Sequence, residues 1–531
     1  MTTGKTKKIL SSLKLDYVAL ALLVAAHYTR LQWNDYIGDP DGFFHAKIAS
    51  LLAHGHFLKS MPWMQFSSLR DNFTDQHLLY HLLQAPLTLI NNDPLLGVKI
   101  SAVIFATAQA LVFYWLLKKF KLSWPWFFSL LLIILPALSF RLSLIKITAL
   151  SLIMVWLLIY AFFQKKYKTL AALGFIYVWL YGGWPLAIFI FIIFYLADYI
   201  YSFIHHQKIK LFHNKIVIIL NSVHEHFDLK KLALYLLAGL LGGIIVNPYF
   251  PQNIYAYYQQ FFQIGLINKS GQFPVGGEWY GASFHSILAS TSMLVFIMAS
   301  IIFILLFFNI KKVSRLSWFS FLLSFAFLFL SLKSIRYTEY YSPFLLLFVT
   351  SGASDIIKII KWQKISNIWQ ALNWQLKTFL LSSVFVLGTL LMPIIYQQIL
   401  NTNIPDAHPR LRYQAASNWL KQNTPQDSIV FHSDWDEWPM LFYFNDHNRY
   451  IIGLDFTFMY NYDPKLQQKY SDITRGNIRL NLAKEIKDNY GAEYIFVEKK
   501  DHEKLIQALD QDPDLPLLYQ DDYFNIYKIE L

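Results

Sequence analysis

Five short stretches of this chain set carboxylates, imidazoles or a guanidinium beside aromatic residues, four of them at the edges of apolar runs. The first, Ile37-Gly-Asp-Pro-Asp-Gly-Phe-Phe-His-Ala-Lys47, puts Asp39 and Asp41 at the start of a helical pattern with Phe44, Ile48, Leu51 and Leu52 on one face. Two carboxylates there either cap the helix or hold a cation and accept a proton. The second is Asp71-Asn-Phe-Thr-Asp-Gln-His-Leu-Leu-Tyr-His81. Carboxylate oxygen suits hard cations and imidazole softer ones, so Asp75 and His77, with Asp41, are the candidate metal ligands. His77 and His81, a helical turn apart, would equally suit a membrane interface, where the ring snorkels.

In the third, Gln272-Phe-Pro-Val-Gly-Gly-Glu-Trp-Tyr280, Glu278 sits between glycines, which let a ligand approach the backbone, and aromatics such as Trp279, whose faces stack on sugar rings. A turn glutamate facing water is the alternative. The fourth, Lys333-Ser-Ile-Arg-Tyr-Thr-Glu-Tyr-Tyr-Ser-Pro343, opens an apolar run with Arg336. A cation at that depth needs a partner, either a phosphate held by two parallel hydrogen bonds or Glu339. The fifth, His432-Ser-Asp-Trp-Asp-Glu-Trp-Pro439, follows a strand-like run in a more polar region.

The elements that must position these groups are mostly membrane helices. Of 531 residues 55% are hydrophobic and 18% aromatic, above the range of water-soluble folds. Apolar spans are predicted at 15–33, 94–117, 123–140, 145–163, 168–181, 183–204, 231–248, 286–309, 316–332, 337–355 and 379–399. With the N-terminus inside, Lys118, Lys119 and Lys121; Lys165, Lys166 and Lys168; the lysines between 208 and 231; Lys311, Lys312 and Arg315; and Lys358, Lys361 and Lys364 all fall on the cytoplasmic face, as the positive-inside bias requires. The formal charge of +12 is thereby spread over short flanking runs, which argues for membrane lipids and against nucleic acid. The absence of cysteine excludes disulfides, thiol catalysis and cysteine metal sites.

Past about Asn401 prolines and charges rise abruptly. Amphipathic runs at 412–422 and 480–490, with strand-like runs at 428–432 and 494–497, predict a small α/β domain. The expected architecture is a polytopic α-helical membrane protein of about eleven spans over 1–400, with outside loops 34–93 and 249–285, and an extracytoplasmic α/β domain over 401–531.

Asp41-Gly-Phe-Phe-His-Ala-Lys47 resembles the Asp-Pro-Tyr-Phe-His-x-Arg element in the catalytic subunit of oligosaccharyltransferases, membrane glycosyltransferases of the GT-C superfamily. Glu278 is similar to that family's loop glutamate, and Arg336 to Pro343 to its Arg-x-x-x-Tyr-x-x-Pro pattern. His432 to Pro439 and Asn448 to Asp455 resemble its Trp-Trp-Asp block and the Asn-Arg segment downstream. The resemblance implies a sugar moved from a polyprenyl-phosphate or polyprenyl-pyrophosphate donor to a protein, lipid or glycan acceptor at the outer face of the cytoplasmic membrane. It gives Asp41, with Asp39, a divalent Mg or Mn cation to hold or a proton to take. Glu278 would position the acceptor, Arg336 would bind the leaving pyrophosphate, and Trp435, Asp436 and Trp279 would contact the acceptor.

This copy departs from the family in two places. Asp434 replaces the first tryptophan of the block and Trp438 a glycine, which weakens recognition of a peptide sequon and leaves a glycolipid or polysaccharide acceptor as the alternative. Phe140-Arg-Leu-Ser-Leu-Ile-Lys146 carries no carboxylate where the family has an acidic pair. Either Asp71, Asp75 or His77 completes a metal site or the chemistry is metal-independent, and Arg141 would instead meet donor phosphate. A transporter or flippase of lipid-linked sugars is the competing class; it would call for pseudo-symmetric halves and charges in mid-span, which the sequence lacks.

Overall fold

The computed structural model describes residues 14–212, 215–220, 227–267, 271–272, 275–291, 293–360 and 408–531. Helices occupy ten of the eleven expected spans: Leu15–Gln32, Pro94–Lys119, the pair Pro125–Ile133 and Pro136–Ser143, Thr148–Phe163, Tyr167–Leu180, Leu186–His206, Leu229–Val246, the pair Phe284–Thr291 and Met293–Phe307, Arg315–Lys333, and Thr338–Ile359. The span expected at 379–399 and the domain boundary near Asn401 lie outside the described residues. Five of the described helices are long and apolar enough to cross a membrane singly, and a sixth if the Pro125–Ser143 pair is one broken span. The protein is a multi-pass α-helical membrane protein.

Helix starts follow from the sequence. Asp93 accepts a hydrogen bond from Leu96 N–H and precedes Pro94 at the first turn of the 26-residue helix, and Ser314 caps Arg315–Lys333 in the same way. Thr148–Phe163 is apolar all round, with Trp156 wholly buried, and so runs through the middle of the bundle. Tyr167–Leu180 and Leu229–Val246 meet backbone to backbone, because a Cβ on Gly239 would lie 2.1 Å from Ala171 O.

The single span expected at 123–140 is instead broken. Pro125–Ile133 and Pro136–Ser143 meet at 66°. Pro136 supplies no N–H to continue the first helix and is well placed at the first turn of a second. The turn directs the chain from Arg141 to Lys146 toward the outside loops.

The C-terminal part has one five-stranded mixed sheet. Ile429–His432 lies parallel to both Arg449–Tyr450 and Tyr494–Glu498; Phe524–Lys528 and Leu517–Gln520 complete the order antiparallel. Its strands and the helices Gln414–Asn423 and Leu482–Tyr490 match the expected α/β pattern. The first outside loop continues the sheet: Tyr450 N–H donates to Trp63 O (3.0 Å), while Gln65 and Phe66 N–H donate to Tyr450 and Ile451 O (2.8 and 3.0 Å). Tyr36–Ile37 pairs antiparallel with His408–Pro409. One apolar cluster contains Phe43, Phe44 and Met61 from the loop and Trp438, Phe442 and Tyr450 from the domain, so the two share a core.

A group of carboxylates follows the central strand. Ser433 Oγ donates to Glu437 Oε1 (2.6 Å), and Asp434 N–H to Glu437 Oε2 (3.0 Å). Burial, reinforced by Glu437, pushes Asp434 up to about 7; Asp436 is raised further by burial and by Asp434, Glu437 and Glu498. Both folded values exceed the unfolded one, so the stability these protonated groups contribute is complete below about pH 4 and is lost as pH rises, for Asp434 through about 7. Detergent-solubilised protein is therefore expected to melt at a higher temperature at about pH 5 than at about pH 8. Asp436→Asn should flatten that slope; an unchanged slope would show that the cluster is not its source.

Candidate functional site

The site lies where the broken span, two outside loops and the start of Thr338–Ile359 converge beneath the soluble domain. A cavity of about 150 Å³ is lined by Asp41, His45, Asp75, His77, Lys146, Glu278, Trp279 and Arg336, with Leu454 and Asp455 contributed by the domain. These residues, drawn from six separate sequence stretches, thus line one cavity.

Glu278 is the hub. Arg141 Nη1 donates to its Oε2 (2.6 Å), Arg336 Nη1 donates to its Oε1, and Lys146 Nζ stands 3.6 Å from Oε2. Burial alone would raise this carboxyl, but Arg336, Lys146 and Arg141 outweigh burial and hold it well below the usual range. Its loop is fixed along the start of the span: Ser334 Oγ donates to Glu278 O (2.7 Å) and Ile335 N–H to Tyr280 O (2.9 Å). Gly281 permits that approach, since a Cβ there would fall 2.6 Å from Leu332 O. The Arg336 guanidinium lies over the Trp279 ring at 4.8 Å.

Arg336 therefore pairs with Glu278, and Glu339 belongs to Arg141, whose Nε donates to it at 2.8 Å. Thr148 Oγ1 adds a bond to the same Glu339 oxygen at 3.1 Å. Arg141 Nη2 is buried without a hydrogen-bond partner among the described residues, as are Thr74 Oγ1 and Gln76 Oε1, whose residues line the cavity.

Asp39 and Asp41 both reach Lys146 Nζ, at 2.9 and 3.1 Å. Asp39 also accepts from Asp41 N–H (2.9 Å), so Asp39 satisfies the start of helix Asp41–Ala53 and leaves the Asp41 carboxylate for the lysine. Burial outweighs the attraction of Lys146 and raises Asp39 to about 6. Lys146, which the sequence offered only as a missing carboxylate, is thus central. The signal for it was a lone lysine among apolar residues on the face that the positive-inside bias leaves poor in lysine.

Asp75 and His77 are placed differently from a metal-ligand pair. Both oxygens of Asp75 are engaged: Oδ1 accepts from His77 N–H (2.9 Å) and Oδ2 from His81 Nδ1 (2.7 Å). His81 is wholly buried and does not snorkel; its Nε2 meets His45 Nδ1 at 2.7 Å. Among the described residues no three His, Asp or Glu side chains are arranged to hold a metal ion. The Asp41, Asp75 and His77 set expected from the sequence therefore lines one cavity without being grouped as metal ligands.

A divalent cation does not fit the Asp39, Asp41 and Glu278 group as it stands, because the Lys146 ammonium already lies 2.9 to 3.6 Å from all three. Adding a dication about 4 Å from that ammonium would cost about 8 kcal/mol at an effective dielectric of about 20.

In the domain, Trp435 approaches the Glu278 loop; a Cβ on Gly276 would lie 3.9 Å from its ring. Trp438 is fully buried, stacked on Phe442 at 4.8 Å with its Nε1–H donated to Trp63 O (3.2 Å), so this tryptophan holds the loop to the domain. Asp436 sits in the carboxylate group and Asp434 caps the turn that follows.

No family model matches the chain, and no curated protein does. Solved structures match in fold. The oligosaccharyltransferase of Archaeoglobus fulgidus in its apo form gives a TM-score of 0.60 at 11% identity, over 92% of this chain and 70% of its own. The archaeal oligosaccharyltransferase AglB from Archaeoglobus fulgidus, in complex with an inhibitory peptide and a dolichol-phosphate, gives 0.60 at 11% identity, over 97% and 74%. ArnT from Cupriavidus metallidurans, bound to undecaprenyl phosphate, gives 0.53 at 12%, over 96% and 97%. The chain has the fold of the GT-C membrane glycosyltransferases, shared with the oligosaccharyltransferase over 92% of its length and with ArnT over 96%.

Proposed function

We propose that this protein transfers a sugar from a polyprenyl-phosphate or polyprenyl-pyrophosphate donor to an acceptor at the extracytoplasmic face of the cytoplasmic membrane. The observation that carries the reading is Arg336, lining the cavity beside Arg141, with a spare buried Arg141 N–H. Two guanidiniums at the mouth of membrane helices suit the phosphate of a lipid whose tail lies in the bilayer. The likeness to AglB with dolichol-phosphate and to ArnT with undecaprenyl phosphate supports the same donor class. Glu278 neutralises both arginines before the donor arrives, and phosphate competes with it for them.

In the transfer the acceptor attacks the anomeric carbon as the bond to phosphate oxygen breaks, and that oxygen leaves with the electron pair. Arg336 and Arg141 stabilise the growing negative charge. Trp279, under the Arg336 guanidinium, borders the sugar's position. With a lipid-linked donor supplied, Arg336→Gln should lower transfer by about 10² to 10³-fold. Arg336→Lys should recover part of it. A parental rate in Arg336→Gln would remove the donor assignment.

A hydroxyl-bearing glycolipid or polysaccharide acceptor is favoured by the Asp75, His81 and His45 chain. Asp75 Oδ2 accepts a hydrogen bond from His81 Nδ1–H; in the tautomer that leaves His81 Nε2 as an acceptor, His45 Nδ1–H donates to it and His45 Nε2 keeps its lone pair. His45 lines the cavity one helical turn from Asp41, and burial holds its ring well below the usual imidazole range and so keeps it neutral. Such a nitrogen takes the proton of an attacking hydroxyl. An oligosaccharyltransferase-like transfer to a peptide amide remains the other acceptor reading, supported by the fold likeness. His45→Gln is expected to lower kcat toward a hydroxyl acceptor about 10²-fold with little change in KM, and to remove the acid limb of the pH profile. A retained acid limb would argue for the amide.

The outside placement of the domain is open to direct labelling. Leu411 is 59% exposed and the chain has no cysteine of its own. Leu411→Cys should react with a membrane-impermeant maleimide in intact cells; protection until lysis would invert the proposed topology.

A further inference from the structure

We propose that Lys146 is a resident cation: its ammonium takes the place of the divalent ion that the fold family implies beside Asp39, Asp41 and Glu278, and the protein works without a metal. The inference rests on the transferase reading for what the cation does, though not for whether a metal binds.

The lysine is built into the site. Its segment follows the broken span, where Gln32 Nε2 donates to Ser143 O and Lys146 N–H to Leu144 O (2.9 Å). Ile145 belongs to the apolar core formed with Ile37 and Phe43, so the backbone carrying Lys146 is packed on the very turn that carries Asp39 and Asp41. The Gly38-Asp-Pro-Asp-Gly42 turn makes room for that packing. A Cβ on Gly38 would fall 2.9 Å from Leu144 Cδ2, and one on Gly42 would fall 3.2 Å from Ile145 Cδ1. The Lys146 side chain is only 9% exposed. Its ammonium lies within hydrogen-bond distance of Asp39 and Asp41, at 2.9 and 3.1 Å, and forms a longer ion pair with Glu278 at 3.6 Å.

Magnesium or manganese bound by the same oxygens needs them near 2.1 Å around a shared centre. Lys146 occupies that centre, and both oxygens of Asp75, the carboxylate paired with His77 in the expected ligand set, are engaged by His77 N–H and His81 Nδ1. A fixed ammonium supplies one positive charge against the donor phosphate. Arg141 and Arg336, on either side of Glu278, supply the rest.

The test is Mn²⁺ binding followed by electron paramagnetic resonance on the purified full chain, with sugar transfer measured in parallel in chelator. Up to about 1 mM Mn²⁺, wild type should hold no bound ion, and transfer should persist in excess EDTA. Lys146→Met should lower transfer about 10²-fold, Mn²⁺ should not restore it, and Lys146→Arg should keep a larger share than Lys146→Met does. One Mn²⁺ bound per wild-type chain and lost in Asp41→Asn would overturn the inference, as would transfer that EDTA abolishes and Mn²⁺ restores. If no arm transfers sugar, the transferase reading fails, while the resonance titration still decides whether a metal binds.

Discussion

The structure outside the bundle depends on one ionic junction. Glu278 is shared by Arg141, Arg336 and Lys146, and through Arg141 and Lys146 it reaches Glu339, Asp39 and Asp41. Four carboxylates and three cations thereby connect the first outside loop, the segment after the broken span, the loop before Phe284 and the start of Thr338–Ile359. Charges withdrawn from water are favourable only when paired, and removal of one partner leaves the others buried and uncompensated. The junction is consequently a poor device for stability and a good one for alignment: the segments fit only when every charge is answered. On the proposed function, an arriving donor phosphate would add negative charge where Glu278 already sits, and the two would share the guanidiniums.

Much of the fold could be read from the residues. Uncharged apolar runs located the membrane helices because burial in lipid admits little else, and the short β-rich run at 428–432 marked the strand Ile429–His432. The break at Pro136 escaped because hydropathy averages across a proline that changes direction without changing polarity. The site was legible as a set of stretches: Asp41, Glu278, Arg336, Asp75 and His77 line one cavity. Who pairs with whom was not. Asp75 with His81 is a short-range contact hidden by the turn between them, and Lys146 with Asp41 joins residues a hundred positions apart, where spacing carries no information. Trp438 illustrates the opposite limit, since a tryptophan in a motif reads alike whether it meets a ligand or, as here, packs against Phe442.

The soluble domain is held by main-chain bonds as well as side chains. Trp63 to Phe66 extend the sheet beside Tyr450, Tyr36–Ile37 pairs with His408–Pro409, and Lys47 Nζ donates to Asp446 Oδ2 (2.9 Å). Helix Asp41–Ala53 packs on helix Trp438–Phe444 through Phe43, Tyr443 and Phe444, so the helix bearing Asp41 and His45 and the turn bearing Trp435 move as one body. The geometry between Asp41 and His45 on one side and Trp435 on the other is therefore set within a common core.

That added strand also bears on how the chain can be dissected. Produced by itself from His408 onward, the tail would expose an unpaired backbone edge at Tyr450 and the greasy flank of Trp438 and Phe442, both of which invite self-association. Its missing piece lies more than three hundred residues upstream, so a well-behaved soluble fragment would need residues 61–73 grafted back as a separate segment.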